Sequence, residues 1–151
     1  MGISNSISKI LTSSRFISII EEIKNEAIEE LKQSIQVNFY DAYDPKVYVR
    51  TFQFLNAVRG ELSVTANAIE LKIYLDANSM EHPSVVDGEN SYVPPLLYYG
   101  HHQKGYNAVD YFHNYPGRNE WWDEAVNMIR TKVQARVSHA IVSAITTTKY
   151  R

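Results

Sequence analysis

Cysteine is absent from the 151 residues, which excludes a disulfide framework and every thiolate-held zinc or iron–sulfur centre. Long apolar runs are absent too: no stretch approaches the roughly 18 consecutive apolar residues that a membrane span requires. Positive charge is not in excess, since 15 Lys+Arg stand against 17 Asp+Glu, a formal net charge of −2. That balance gives no overall basic footprint for coating nucleic acid. Neither a P-loop nor a G-x-G-x-x-G loop occurs, and no G-x-S-x-G elbow or H-E-x-x-H helix is present, so the common phosphate, nucleophile and zinc motifs are missing. The opening MGISNSISKILTSSRF lacks the basic start and unbroken apolar run of a secretory signal. Gly2 and Ser6 do match the acylation pattern M-G-x-x-x-S. Only Lys9 and Arg15 would support it, and a polar lead-in to a short helix is the preferred reading.

What the chain does contain is ordinary in amount and unusual in kind. It is 44% hydrophobic and 21% charged, values of a soluble globular protein of one domain over residues 1–151. Its eleven tyrosines are about twice what average composition supplies. Residues 4–37 read as helix in two pieces. Ile7, Ile10 and Leu11 form a first short face, and Thr12-Ser13-Ser14 offers a break or a fresh N-cap. Ile20, Ile23, Ala27, Leu31 and Ser34/Ile35 then recur at three- and four-residue steps, the mark of one buried stripe. Glu21, Glu22, Glu26, Glu29 and Glu30 crowd the remaining surface. Glu21/Lys24 and Glu29/Lys32 at i,i+3 make this a solvated face rather than a metal or acid–base site.

Pro45 ends that helical region, and a turn with a short helical stretch follows through residue 58. Leu62, Val64 and Ala66 alternate with Glu61, Ser63 and Thr65, and Ile69, Leu71, Ile73 and Leu75 alternate with Glu70, Lys72 and Tyr74. With Asn67-Ala68 between them, the pattern predicts an antiparallel hairpin with one apolar face. Residues 78–117 form a long loop without sustained period, holding four of the five prolines and Tyr92, Tyr98, Tyr99, Tyr106, Tyr111 and Tyr115. Within it, residues 93–99 are a candidate edge strand, restricted by Pro94 and Pro95. A last helix is expected over about residues 119–146. It starts at Asn119, has an acidic first turn, and carries an apolar stripe of Trp122, Ala125/Val126, Ile129, Val133, Val137, Ala140/Ile141 and Ala144. The fold class is therefore α+β: long N- and C-terminal helices packed on a small antiparallel sheet, with a long aromatic loop.

Two sets of residues invite a chemical reading. His101-His102, with Asp110, His113 and His82, could surround a metal in a small metal-dependent enzyme. Neighbouring histidines on an extended chain point to opposite sides, however, and the spacing matches no established zinc pattern. No metal or cofactor is expected. From Arg118 onward the chain holds six basic and three acidic residues, whereas residues 41–117 hold five and nine. Arg130, Lys132, Arg136, Lys149 and Arg151 could meet phosphates, as in a DNA-associated module, or acidic residues of a neighbouring subunit.

The layout also resembles a known family, the tail-completion or head–tail joining (neck) proteins of long-tailed bacteriophages. The corresponding stretches are an acidic amphipathic helix (residues 20–37), then Tyr43-Asp44-Pro45-Lys46-Val47-Tyr48-Val49-Arg50-Thr51, a short helix (52–58) and a hairpin (62–75). A variable aromatic loop follows, and Trp121-Trp122-Asp123-Glu124-Ala125 opens the final helix. The resemblance implies a structural, non-catalytic virion protein that forms a homo-oligomeric ring in the neck or head-proximal tail, made in the host cytoplasm. Such a ring would meet the head-completion (stopper) and the tail-tube or tail-terminator proteins. DNA would pass only in transit through its axial channel, and no membrane is involved. Tyr92, Tyr98, Tyr99, Tyr106, Tyr111, Phe112 and Tyr115 would then form the interaction surface, with Arg130 and Arg136 beside them and Tyr48 and Arg50 positioning the turn. Tyrosines suit such a role, because they supply contact area at low conformational-entropy cost.

Overall fold

A computed structural model describes residues 2–41, 52–65, 67–79, 81–83, 90–92, 101–102, 114–115 and 119–149. The chain begins with helix α1 (Gly2–Leu11) and helix α2 (Ser14–Ile35). The break between them is made by Ser13. Its Oγ donates to the Ile10 carbonyl at 2.8 Å and accepts from the Phe16 N–H at 3.3 Å. One hydroxyl thus closes α1 and caps α2. A π-turn at Gln36–Tyr40 extends α2. Its cause lies in the side chain of Asn38, which donates to the Ser34 carbonyl at 2.9 Å. An amide competing for the i−4 carbonyl widens the helix at that point. The Asp41 N–H reaches back five residues to the Gln36 carbonyl.

Helix α3 (Gln53–Asn56) is a single turn leading directly into strand β1 (Val58–Val64), which pairs with β2 (Ile69–Leu75) in an antiparallel hairpin. Strand β1 starts earlier than the alternation alone predicts, at Val58. The inward and outward positions follow the sequence: 60, 62 and 64 and 69, 71, 73 and 75 are shielded, and the residues between them are exposed. The turn is held by Thr65, whose Oγ accepts from the Ala68 N–H at 3.0 Å and whose N–H donates to the Ala68 carbonyl.

After a 3-10 turn at Ala77–Ser79, strand β3 (Glu81–Pro83) pairs antiparallel with β4 (Asn90–Tyr92), and β5 (His101–His102) with β6 (Asn114–Tyr115). These two ladders fall inside the segment predicted as a loop. Strands of two or three residues are too short to establish a period of two, so sequence alternation cannot reveal them. The candidate strand at 93–99 lies outside the described residues. Helix α4 (Asn119–Lys149) closes the chain, three residues longer than expected.

The chain divides into two compact units. The first comprises residues 1–32, 59–74 and 128–151. Its core is Phe16, Ile20, Ile23 and Ala140, packed against Ile10, Leu11, Ile19, Leu62, Ile69, Leu71, Val133, Val137, Ile141 and Ala144. Here α1, α2 and α4 cover the apolar face of the hairpin, the predicted α+β arrangement. At Gly60 the hairpin comes close to side chains of α2. A Cβ there would lie 2.8 Å from Ile28 Cδ1 and 3.1 Å from Lys24 Cγ. The second unit comprises residues 33–58 and 75–127, with Ile35, Phe54, Ala57, Val58, Trp121 and Ala125 buried. In this unit Asp76 donates its N–H to the Ala57 carbonyl at 2.8 Å. The acceptors of Asp76 cap the 3-10 turn, with its Oδ1 taking the Asn78 N–H.

Candidate functional site

Within the second unit the aromatic residues are assembled around Trp121. Its ring meets Phe39 edge-on at 4.8 Å and Phe54 at 5.7 Å, and Phe39 and Phe54 meet each other at 5.1 Å, all in T-shaped geometry. Such contacts set the positive edge of one ring against the negative face of another. The indole Nε1 donates to Ser34 Oγ at 2.7 Å, so the one polar group of the buried ring is satisfied. Trp122 stands beside it at 5.6 Å, tilted. The periodic stripe of the sequence runs through Trp122, but Trp121 is the buried member, and Trp122 is only half-buried. Both residues fit a helical stripe running to Ala125 and Ile129. What selects Trp121 is a ring-lined slot with a hydroxyl at its end, and periodicity carries no such information.

A second aromatic pair lies at the surface of the same unit. Phe52 adopts φ 56°, ψ 16°, the only positive-φ non-glycine among the described residues. A left-handed conformation at a bulky residue costs about 1–2 kcal/mol. Phe52 stacks on Tyr40 at 4.8 Å with an interplanar angle of 26°, which offsets part of that cost. Val37 and Phe52 are both exposed.

In the first unit the acidic face of α2 meets the basic face of α4. Glu30 accepts from Lys132 Nζ at 2.5 Å, and Glu26 from Arg136 at 2.8 Å. The two pairs sit one turn apart on helices running in opposite directions, so each cation of α4 faces one carboxylate of α2. Lys24 pairs with Glu21, and Lys32 with Glu29 at 2.8 Å, the i,i+3 contacts expected from the sequence. The interhelical pairs go beyond what the sequence predicts. Their signal was present, since Glu26/Glu30 and Lys132/Arg136 share a four-residue spacing with opposite sign. Recognising it requires knowing that α2 and α4 are neighbours. Between the rows lies a shallow groove floored by Ile23, Ala27, Ile129 and Val133. It holds no chemistry beyond its ion-paired rim.

The expected interaction residues fall in three groups. Tyr92 is the last residue of β4, opposite Glu81, and Tyr115 is the last of β6, opposite His101. Tyr98, Tyr99, Tyr106, Tyr111 and Phe112 lie outside the described residues, as do Tyr48 and Arg50. Arg130 is exposed on α4, and Arg136 is engaged with Glu26 of its own chain while staying half exposed. For the metal reading, His101 and His102 are consecutive in β5 and His82 is central in β3. Asp110 and His113 lie outside the described residues. Among the described residues, no three His, Asp or Glu side chains come together as a metal site. No described helix is long and apolar enough to cross a membrane.

The chain matches no curated protein. It matches no solved structure. The model of the YomN family matches residues 4–147, which takes in most of α1 and α4 and all of α2, α3, the hairpin and the tyrosine-rich segment. A match of that extent leaves only the chain ends outside, and the chain belongs to the YomN family, a family of phage (SPbeta prophage-like) origin.

Proposed function

We propose that the protein is a structural component of a phage particle, a head–tail joining or tail-completion subunit that forms a ring in the neck around an axial DNA channel. Membership of a phage-derived family over almost the whole chain carries this reading, because it puts the protein in the setting where the layout resemblance has meaning. The composition supports it. A ring subunit needs contact surface that the monomer leaves uncovered, and six tyrosines fall between residues 92 and 115. Stopper and tail-tube or tail-terminator proteins are the proposed neighbours, and DNA passes without a sequence-specific contact.

The test is made in the phage. Purified particles should contain the protein at several copies each by quantitative mass spectrometry. Deletion of its gene should leave filled heads and separate tails in electron micrographs. A paired Tyr98→Ala/Tyr99→Ala variant should remain folded by circular dichroism and be lost from particles. Absence of the wild-type protein from purified virions overturns the reading.

A further inference from the structure

The helix α4 has two faces, and only one is used by the first unit. Ile129, Val133, Val137, Ala140, Ile141 and Ala144 turn inward. On the opposite side Met128, Thr131, Ala135, Ser138, Val142 and Ile145 succeed one another at alternating steps of three and four, and every one is exposed. Val142 is 61% exposed, Met128 40% and Ile145 40%. No charged residue interrupts this row. A 3–4 repeat of this kind is the a/d seam of a coiled coil, the pattern by which one helix presents knobs to another. A solvated helix would carry charge there instead.

The row is complementary to itself. In an antiparallel helix pair each a position faces a d position of the partner. Centring a two-fold axis midway between Ala135 and Ser138 sets Met128 against Ile145, Thr131 against Val142, and Ala135 against Ser138. Large residues thus meet at both ends, and the two smallest meet at the crossing, where they let the backbones approach. The same register sets position 124, a glutamate, opposite position 149, a lysine. It also opposes the two helix dipoles. A parallel pair would instead align Glu124 with Glu124 and position 149 with itself.

We infer that the outward row Met128, Thr131, Ala135, Ser138, Val142 and Ile145 of α4 is an interface for a second copy of this chain, paired antiparallel about a two-fold axis. The contact is isologous, and it concerns the free subunit. It uses neither the tyrosine-rich segment nor any feature of the neck reading, and it stands or falls separately from that reading.

The experiment is done on the full-length chain. Sedimentation equilibrium at tens of micromolar should give the mass of two chains, and Val142→Glu/Ile145→Glu should give one chain with an unchanged circular dichroism spectrum. Because the chain has no cysteine, single thiols report direction cleanly. Under mild oxidation, Met128→Cys mixed with Ile145→Cys should form the mixed disulfide dimer. Met128→Cys alone should not, since two copies of that position lie about 25 Å apart in the antiparallel register. A wild-type chain that stays monomeric, or an oligomer unaffected by the glutamates, overturns the inference. So does cross-linking of Met128→Cys with itself in preference to Ile145→Cys.

Discussion

At the scale of single residues, stability is concentrated where a side chain has no alternative place. Trp121 fills a slot between Phe39 and Phe54 and gives its one donor to Ser34. Trp121→Ala is expected to destabilise the protein by about 3–5 kcal/mol, through lost burial and the cavity left behind. Ser34→Ala is expected to cost about 1 kcal/mol, because the indole N–H then loses its partner while the ring packing survives. Urea denaturation measures both, and equal effects of the two variants would show that the hydrogen bond, not the ring, holds the site. Gly60 is the converse case, a position defined by what it lacks. Gly60→Val drives new atoms into Ile28 and Lys24 and is expected to cost about 1–3 kcal/mol by overpacking. A Gly60→Val protein with an unshifted urea midpoint would show that α2 can move away from the hairpin freely.

The elements show how local chemistry sets boundaries that periodicity leaves open. The start of α2 was readable, because Thr12-Ser13-Ser14 is cap chemistry, and the structure puts the cap on Ser13. Ser13→Ala is expected to destabilise by about 1 kcal/mol, measurable as a lower thermal midpoint. No hydrophobic pattern announces the π-turn after Ile35, since it follows from one amide competing for one carbonyl. Between α2 and α4, the Glu26–Arg136 and Glu30–Lys132 pairs have side chains roughly half exposed. A double-mutant cycle on either pair is expected to return a coupling below about 1 kcal/mol that shrinks with added salt. Their part is to favour one helix register over another, and packing at Ile23, Ala27 and Val133 supplies the attraction. A salt-independent coupling of several kcal/mol would contradict that division.

For the whole molecule, the notable feature is how far apart in sequence the members of one core lie. The first unit draws on both ends of the chain and on the hairpin at residues 59–74. A chain truncated after residue 127 therefore loses Val133, Val137, Ala140 and Ile141 while Phe16, Ile20 and Ile23 remain to be covered. It is expected to lose cooperative thermal unfolding and to bind a hydrophobic dye. A sharp, unshifted melting transition in the truncated chain would show that α1, α2 and the hairpin form a core by themselves. Segregated charge has a local explanation at this scale as well. Part of the basic excess near the C-terminus neutralises the acidic face of α2 within the same chain. Phosphate or a second subunit is not required to account for those cations.

The amino-acid sequence alone determined the class of fold, the hairpin alternation and the buried stripe Ile20, Ile23, Ala27, Leu31 and Ile35. These are periodic features, and a period is written into the order of residues. Missing cysteine excluded disulfides and thiolate-held metal centres for the same reason, since that needs only the letters. Tertiary structure decided which tryptophan is buried, where Glu26 and Glu30 find their cations, and why position 60 is a glycine. Each of those depends on which side chain comes near another from a distant part of the chain, and that proximity exists only once the helices and the hairpin have packed. The outward row of α4 belongs to both. Its spacing is in the sequence, but only the fold reveals that this row, and not the other, is left uncovered.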